Sequence, residues 1–493
     1  MLINTFGFAI VFLVIFILYW LVPTQLIRIR NIFLLLVSYL LYLNWKPSFA
    51  LVLFGVTAIT YMGAVLVQED YGLDDYSSKR KKALCWCFAI LGLLPLLVYK
   101  YYNFLNYSIT SLLESAGLHF ELPGLNWAIP VGISFFTFQA VGYLLDVYHK
   151  RVPIEKNFLD YALFVSFFPQ ITSGPISTAK DILPQFKKKQ KFDYIQARHG
   201  LLFLLWGLFI KSVIADRAGI YVDSVYSAID SFPAINCLLA SILYTLQIYA
   251  DFAGYSFMAV GVASLLGFKI VNNFKRPYLA ASVTEFWRRW HISLTRWLTS
   301  HIYINLGGSR CSKIRNYFNI LVTFFVSGLW HGANWTFIVW GALHGLFQIM
   351  EKALFGDIIK KELKQIKHHL TLLRFCRIIV TFLLVNFAWI FFRMPSLSDS
   401  MAFIKKILSS FCHFDFNMVG VVMLAYLVLG LIPLIIFEFI QEYCPLFLRK
   451  AEEYVVIRWA TYLFLALGFV LFGVHDNSQF IYCLLYTSPS PRD

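Results

Sequence analysis

Apolar runs long enough to cross, or nearly cross, a hydrocarbon core recur along the whole chain, and nothing else in it restricts the fold as much. They fall near residues 6–22, 31–43 with 48–67, 83–99, 127–148, 159–176, 199–214, 236–268, 317–330, 334–350, 372–392, 418–438 and 455–474. A membrane core of about 30 Å takes roughly 20 apolar residues as a helix. Inside lipid every backbone N–H and C=O must be paired within the chain, which leaves helices as the spanning element for runs of this length. Several runs are short or carry Gly and Pro, so the expectation is about 11–13 transmembrane or re-entrant helices. Composition agrees: 59% of the 493 residues are hydrophobic, 14% are charged, and the mean hydropathy is +0.67. Soluble domains carry about a quarter charged residues. The fold class is therefore all-α and polytopic, with residues 1–482 expected to form a single transmembrane domain.

The net charge of +15 does not point to nucleic acid, because the basic residues sit in short loops between apolar runs. That is the positive-inside pattern of a bacterial inner-membrane protein with several passes. The segment from Lys269 to Arg315 holds nine basic residues against one acid, Glu285, and is expected to face the cytoplasm. No Lys or Arg precedes the run 6–22, whereas Arg28 and Arg30 follow it. This fits an uncleaved first span with its N-terminus outside. The eight cysteines show no CxxC pair and read as small buried hydrophobes. The string Cys483–Asp493 breaks the preceding aromatic run and matches one frame of a transposase adapter used in sequencing libraries. It is expected to be a non-native tail.

Against this apolar background one stretch gathers the polar groups. Phe286–Arg310 combines Arg, Trp and His with the glycine pair Gly307-Gly308, and Gly328-Leu-Trp-His-Gly332 follows. His291 and His331 lie forty positions apart, each preceded by a Trp, Trp290 and Trp330. From Arg315 to His331 is 16 positions, about 24 Å of helical rise, so His331 is expected deep in the bundle. An ionisable side chain at such depth faces the interior or a wet cavity, and histidine accepts a proton near neutral pH. Asp251 is the only ionised side chain in Leu238–Phe268 and is expected to pair or to line a path, with Asn334 and Trp330 as further polar groups of the interior. Trp287, Trp290, Leu294 and Trp297 recur at helical spacing, interleaved with Arg288, Arg289 and Arg296. That spacing predicts an amphipathic interfacial helix in contact with membrane lipids. Its arginines, with Trp290, would suit an anionic donor. His344 reads as packing, and His368 and His369 as loop residues. No HExxH, paired catalytic carboxylates, Walker A or GxGxxG occurs, so no metal and no bound cofactor is expected.

These strings resemble the membrane-bound O-acyltransferase family, within it the alginate O-acetyltransferase-type branch. The resemblance rests on Gly132-Ile-Ser-Phe-Phe-Thr-Phe-Gln139, Phe168-Pro-Gln170 with Gly174-Pro-Ile176, Asp251-Phe-Ala-Gly-Tyr255, Asn273-Phe with Arg276-Pro-Tyr278, Glu285-Phe-Trp-Arg-Arg-Trp-His-Ile-Ser293, Leu306-Gly-Gly308 and Leu329-Trp-His-Gly332. They keep the family's order over about residues 1–480. The resemblance implies a helical bundle around a central tunnel. It implies that His331 is the essential histidine and His291 the second motif histidine. It also implies acetyl transfer from a cytosolic thioester, plausibly acetyl-CoA, across the membrane to a periplasmic acetyltransferase partner that esterifies a polysaccharide. The chain departs from the branch at Thr299-Ser300, where Arg-Asp is usual, and at Asn305, where Pro is usual; partner contacts are not carried over there. Two further readings stand beside the first: D-alanyl transfer to teichoic acid, and a transporter or scaffold without chemistry.

Overall fold

The computed structural model describes residues 3–68, 75–118, 122–362, 370–409 and 421–474. Among the described residues the regular structure is helical throughout, with no strand. The tail at 483–493, His368 and His369 lie outside them. Six helical stretches are long and apolar enough to cross a membrane: 47–68, 78–115, 234–265, 372–393, 425–443 and 455–472. Two shorter apolar helices, Phe6–Leu21 and Ile133–Tyr148, accompany them. Large apolar side chains are widely exposed on the outer surfaces, among them Phe6 at 83%, Leu372 at 79% and Val456 at 80%. In a chain of this composition such a surface meets lipid.

The helices pack into two compact units. Among the described residues the first holds the chain up to Leu204 and Met258–Val271; the second holds Leu205–Phe257 and the chain from Asn272 to Val474. The first contains α1 (Phe6–Leu21), α2 (Ile27–Leu43), α3 (Pro47–Gln68), α4 (Asp75–Leu96), α5 (Tyr102–Ser115), α6 (Ile133–Tyr148), α7 (Phe158–Ser166) and α8 (Ala179–Phe186). Helix α9 (Tyr194–Phe209) follows. Pro95 sits in α4, where it removes a helical donor. The backbone then passes through a π-turn at Leu97–Tyr101 into α5. The unit is pinned by polar groups reaching from one element to another. Tyr42 donates to the Val131 carbonyl at 2.7 Å, and Asn31 donates to Asp160 at 2.8 Å. The Arg30 guanidinium donates to the carbonyls of Val22 and Gln190. Gly132 opens α6 in the left-handed region, at φ 76°. A Cβ there would stand 2.1 Å from the Ile171 carbonyl oxygen, so no larger residue fits.

The second unit contains a π-turn at Ile210–Ala215, α10 (Asp216–Ser227) and most of α11 (Ala234–Leu265). Two short helices follow, α12 (Val283–Arg289) and α13 (Ile292–Leu298), and then a π-turn at Thr299–Tyr303. After these come α14 (Lys313–His331), α15 (Trp335–Glu362), α16 (Leu372–Arg393), α17 (Leu397–Ser409), α18 (Val421–Tyr443), α19 (Pro445–Glu453) and α20 (Val455–Phe472). Ser312 caps α14, accepting from the Arg315 N–H at 3.4 Å, and the helix runs unbroken to His331. Its last turn lies against α15 at backbone contact. A Cβ on Gly328 would stand 2.3 Å from the Phe337 carbonyl oxygen.

Candidate active site

Residues 287–297, expected as one amphipathic helix, fall in two helices joined at a sharp turn. Helix α12 begins with a capping arrangement. The Ser282 hydroxyl accepts from the Glu285 N–H at 3.0 Å, and the Glu285 carboxylate accepts from the Ala281 N–H at 2.8 Å; such reciprocal capping fixes a helix start. The helix ends because His291 takes a left-handed conformation, φ 43° and ψ 53°. That geometry costs a non-glycine residue roughly 1–2 kcal/mol. It is held from outside the stretch by fully buried Asn273. The Asn273 carbonyl accepts from the Ile292 N–H at 3.0 Å, and its side-chain oxygen accepts from the Ser293 N–H at 3.0 Å. Trp290, on the other side of the turn, is enclosed by Phe274, Trp389 and Phe286, with ring centroids 5.0, 5.2 and 5.4 Å away.

The turn brings together the two histidines that the sequence singled out. The His291 and His331 rings stand 6.4 Å apart, centroid to centroid. Trp330 lies edge-on to both, at 5.5 Å from His291 and 4.9 Å from His331. Phe252 of α11 stands 4.7 Å from His291. Trp340 and Phe392 complete the wall around His331, at 4.9 and 5.2 Å. Both imidazoles are buried, His291 at 0% and His331 at 2% exposure. Burial pushes the His291 imidazole down to about 3, which keeps it neutral. His344, read as packing, does pack: its Nδ1 accepts from the Trp287 indole N–H at 3.2 Å.

A cavity of about 400 Å³ lies in the same unit, within the range of small-molecule sites. Arg288 and Lys352 supply positive charge to its lining, and Thr284, Thr299 and Thr323 supply hydroxyls. Arg288 and Thr299 are exposed, whereas Trp287, Phe324 and Ser327 are buried and form its floor. Ser327 is one helical turn before His331 on α14, a spacing that puts both side chains on one helix face.

The other residues expected in a donor or interior site separate. Arg288 lines the cavity, while Arg296 is exposed outside its lining. Arg289 turns inward and is held by Glu285 at 2.5 Å and Glu442 at 2.7 Å. Trp290 has no exposed surface to offer a donor. Asp251 pairs with Lys211 at 2.5 Å, and Lys211 also holds Asp216 at 2.5 Å. Lys211 lies on the π-turn inside an apolar run, and only its charge there could have signalled it. Asn334 caps the start of α15, accepting from the Thr336 N–H at 3.0 Å and donating to the Pro395 carbonyl at 2.8 Å. Ser327, Lys352 and the cavity itself were not foreseen. Among the described residues no group of three or more His, Cys, Asp or Glu is placed to hold a metal ion.

Comparison with known proteins identifies the family. The chain is 35% identical over 421 residues to the probable alginate O-acetylase of Pseudomonas aeruginosa, covering 82% of this chain and 76% of that relative. It belongs to the membrane-bound O-acyltransferase family. The family's model matches residues 149–394, a span that includes both histidines, the cavity lining and Asp251. The peptidoglycan O-acetyltransferase of Helicobacter pylori is 34% identical over 413 residues, 78% of this chain and 75% of the relative. The teichoic acid D-alanyltransferase of Bacillus subtilis is more distant, 26% identical over 310 residues, 60% and 74%. This member of the membrane-bound O-acyltransferases is an O-acyltransferase and a multi-pass membrane protein.

Proposed function

We propose that the protein resides in the bacterial inner membrane and transfers acetyl from a cytosolic thioester, acetyl-CoA or a similar donor, across that membrane for O-acetylation of an extracytoplasmic polysaccharide. The observation that carries this reading is the enclosed His331–His291 pair at the end of α14, one turn beyond the buried floor of a positively lined cavity. The donor occupies the cavity with its anionic part toward Arg288 and Lys352 and its thioester toward the floor. His331 is the general base. It takes the proton of the acceptor hydroxyl as that oxygen attacks the thioester carbonyl. The C–S bond then breaks, and the leaving thiolate receives the proton from the imidazolium. His291, neutral and beside Trp330, orients the reacting groups. The aromatic wall excludes water, which would otherwise hydrolyse the thioester. A periplasmic acetyltransferase partner receives the group and passes it to the polysaccharide.

Radiolabelled acetyl thioester supplied to the purified protein with an acceptor hydroxyl tests this. General base catalysis typically contributes about 10²–10⁴ in rate, so His331→Ala is expected to lose that factor at normal protein yield. His331→Gln is expected to fail as well, because an amide cannot take up the proton. His291→Ala retains measurable turnover. Near-normal transfer by His331→Gln at matched protein levels would refute the mechanism. The teichoic acid D-alanyltransferase relative motivates one competing arm, a D-alanyl thioester. Preferential use of it would replace acetyl as the transferred group.

A further inference from the structure

Several buried hydroxyls on the helices of this protein bond to the carbonyl four residues back. Ser38 donates to Leu34, Thr57 to Leu53, Thr60 to Val56 and Ser166 to Ala162, each at 2.7 Å. Thr323, one turn before Ser327 on α14, does the same to Asn319 at 2.7 Å. Ser327 does not. It is 1% exposed, its hydroxyl meets no hydrogen-bond partner among the described residues, and it lines the floor of the cavity. A buried hydroxyl without a partner is destabilising, and alanine would fill the same place against α15 without that penalty. The back-bond to the Thr323 carbonyl, open to a serine at this spacing, is not made.

We infer that Ser327 donates a hydrogen bond to the carbonyl oxygen of the bound acyl thioester and strengthens it as that oxygen becomes an alkoxide. The inference rests on the proposed donor site and adds a catalytic residue to it. The geometry suits the task. The hydroxyl is at the buried end of the cavity, where a thioester inserted from the charged side presents its carbonyl. His331 follows on the same face of the helix, where it meets the acceptor hydroxyl that attacks that carbonyl. A hydrogen-bond donor aimed at developing negative charge in a dry site acts mainly on the transition state. The balance of the step is unchanged: Ser327 keeps its proton throughout, and the acceptor's proton travels through His331 to the leaving sulfur.

The experiment compares wild type, Ser327→Ala and Ser327→Cys in the purified acyl-transfer assay, with thermal unfolding in detergent alongside. Loss of a single such donor costs about 10²–10³ in kcat. Ser327→Ala is expected to lose kcat on that scale, to keep the donor KM within about twofold, and to unfold at the wild-type temperature or above. Ser327→Cys, with a weaker donor of similar size, falls between the two, and it carries the test if the alanine protein is recovered poorly. Wild-type kcat in either variant overturns the inference while leaving the function standing. So does a raised donor KM with unchanged kcat, which would mean ground-state binding only. Absence of donor-dependent transfer by wild type overturns both.

Discussion

Replacing Lys211 by Met is expected to damage the protein more than neutralising either of the carboxylates it holds. The ammonium lies 2.5 Å from both Asp216 and Asp251, and the three side chains are exposed by 3, 5 and 1%. Charges removed from water to that extent depend on one another. Deleting one partner of a buried pair costs about 3–5 kcal/mol, because the remaining charge is stranded. Here Lys211→Met removes the cation from two buried carboxylates at once, so the upper part of that range is expected. Asp251→Asn removes one negative charge from a group of two acids and one base, and it leaves the Lys211–Asp216 pair intact. Its cost should be nearer that of a hydrogen bond to a charged group, about 1.5–3 kcal/mol. The triple change Lys211→Met, Asp216→Asn, Asp251→Asn removes every charge and should recover much of the loss. Thermal unfolding in detergent, followed by tryptophan fluorescence, ranks the four proteins. A Lys211→Met protein that unfolds at the wild-type temperature, or a triple variant worse than the single one, would refute the stranded-charge argument.

Two further outcomes are expected. Gly328→Ala places a Cβ 2.3 Å from the Phe337 carbonyl oxygen, so α14 and α15 must part near His331; because displacement of about 1 Å can cost 10²-fold in rate, acyl transfer should fall at least tenfold, and full activity would show that the hairpin yields without moving the histidine. Arg288→Ala and Lys352→Ala should raise the donor KM more than they lower kcat, whereas Arg289→Ala should chiefly lower stability, by removing the cation that Glu285 and Glu442 share and leaving them to Arg374 and Arg276; an unchanged donor KM in both cavity variants would remove the anionic donor from this cavity.

Sequence periodicity revealed helix α14 and the burial of His331, because an apolar run from a basic loop to Trp330 has one economical structure in a bilayer. It also revealed that His291 and His331 are the unusual histidines, since each stands beside Trp in a chain with few polar residues. The break at His291 was hidden for a specific reason. Trp287, Trp290, Leu294 and Trp297 satisfy the helical template fully, and the Asn273 clamp that ends the helix is supplied from eighteen positions upstream of His291. Local spacing carries no record of such a clamp. The same limit applies to the arginines: Arg288 and Arg289 are indistinguishable as neighbours in sequence, yet one lines a cavity and the other is locked by acids of α12 and α18. For Asp251 the anomaly was legible and the partner was not, because Lys211 lies forty positions away on a π-turn that no simple period marks.

The strained turn explains why the two histidines meet. In an unbroken helix from Val283 to Leu298, residue 291 would lie on the row shared with positions 288 and 295, three before and four after it. Arg288 and Thr295 both line the cavity, so an uninterrupted helix would aim His291 at the same open space. The left-handed step at His291 ends that row and starts a new helix in a different direction. The imidazole is thereby placed against Phe252 and Trp330, in the dry group that holds His331. Glycine would adopt the same backbone angles without strain, but it would leave no imidazole there. Asn273 and the aromatic cage of Trp290 supply the opposing stabilisation from both sides of the turn, a pattern in which local strain persists because its surroundings over-determine it. The motif reads Trp-His-Ile-Ser because each residue serves that turn: Trp290 is the buried anchor before it, His291 the residue bent through it, and Ile292 and Ser293 the donors clamped after it.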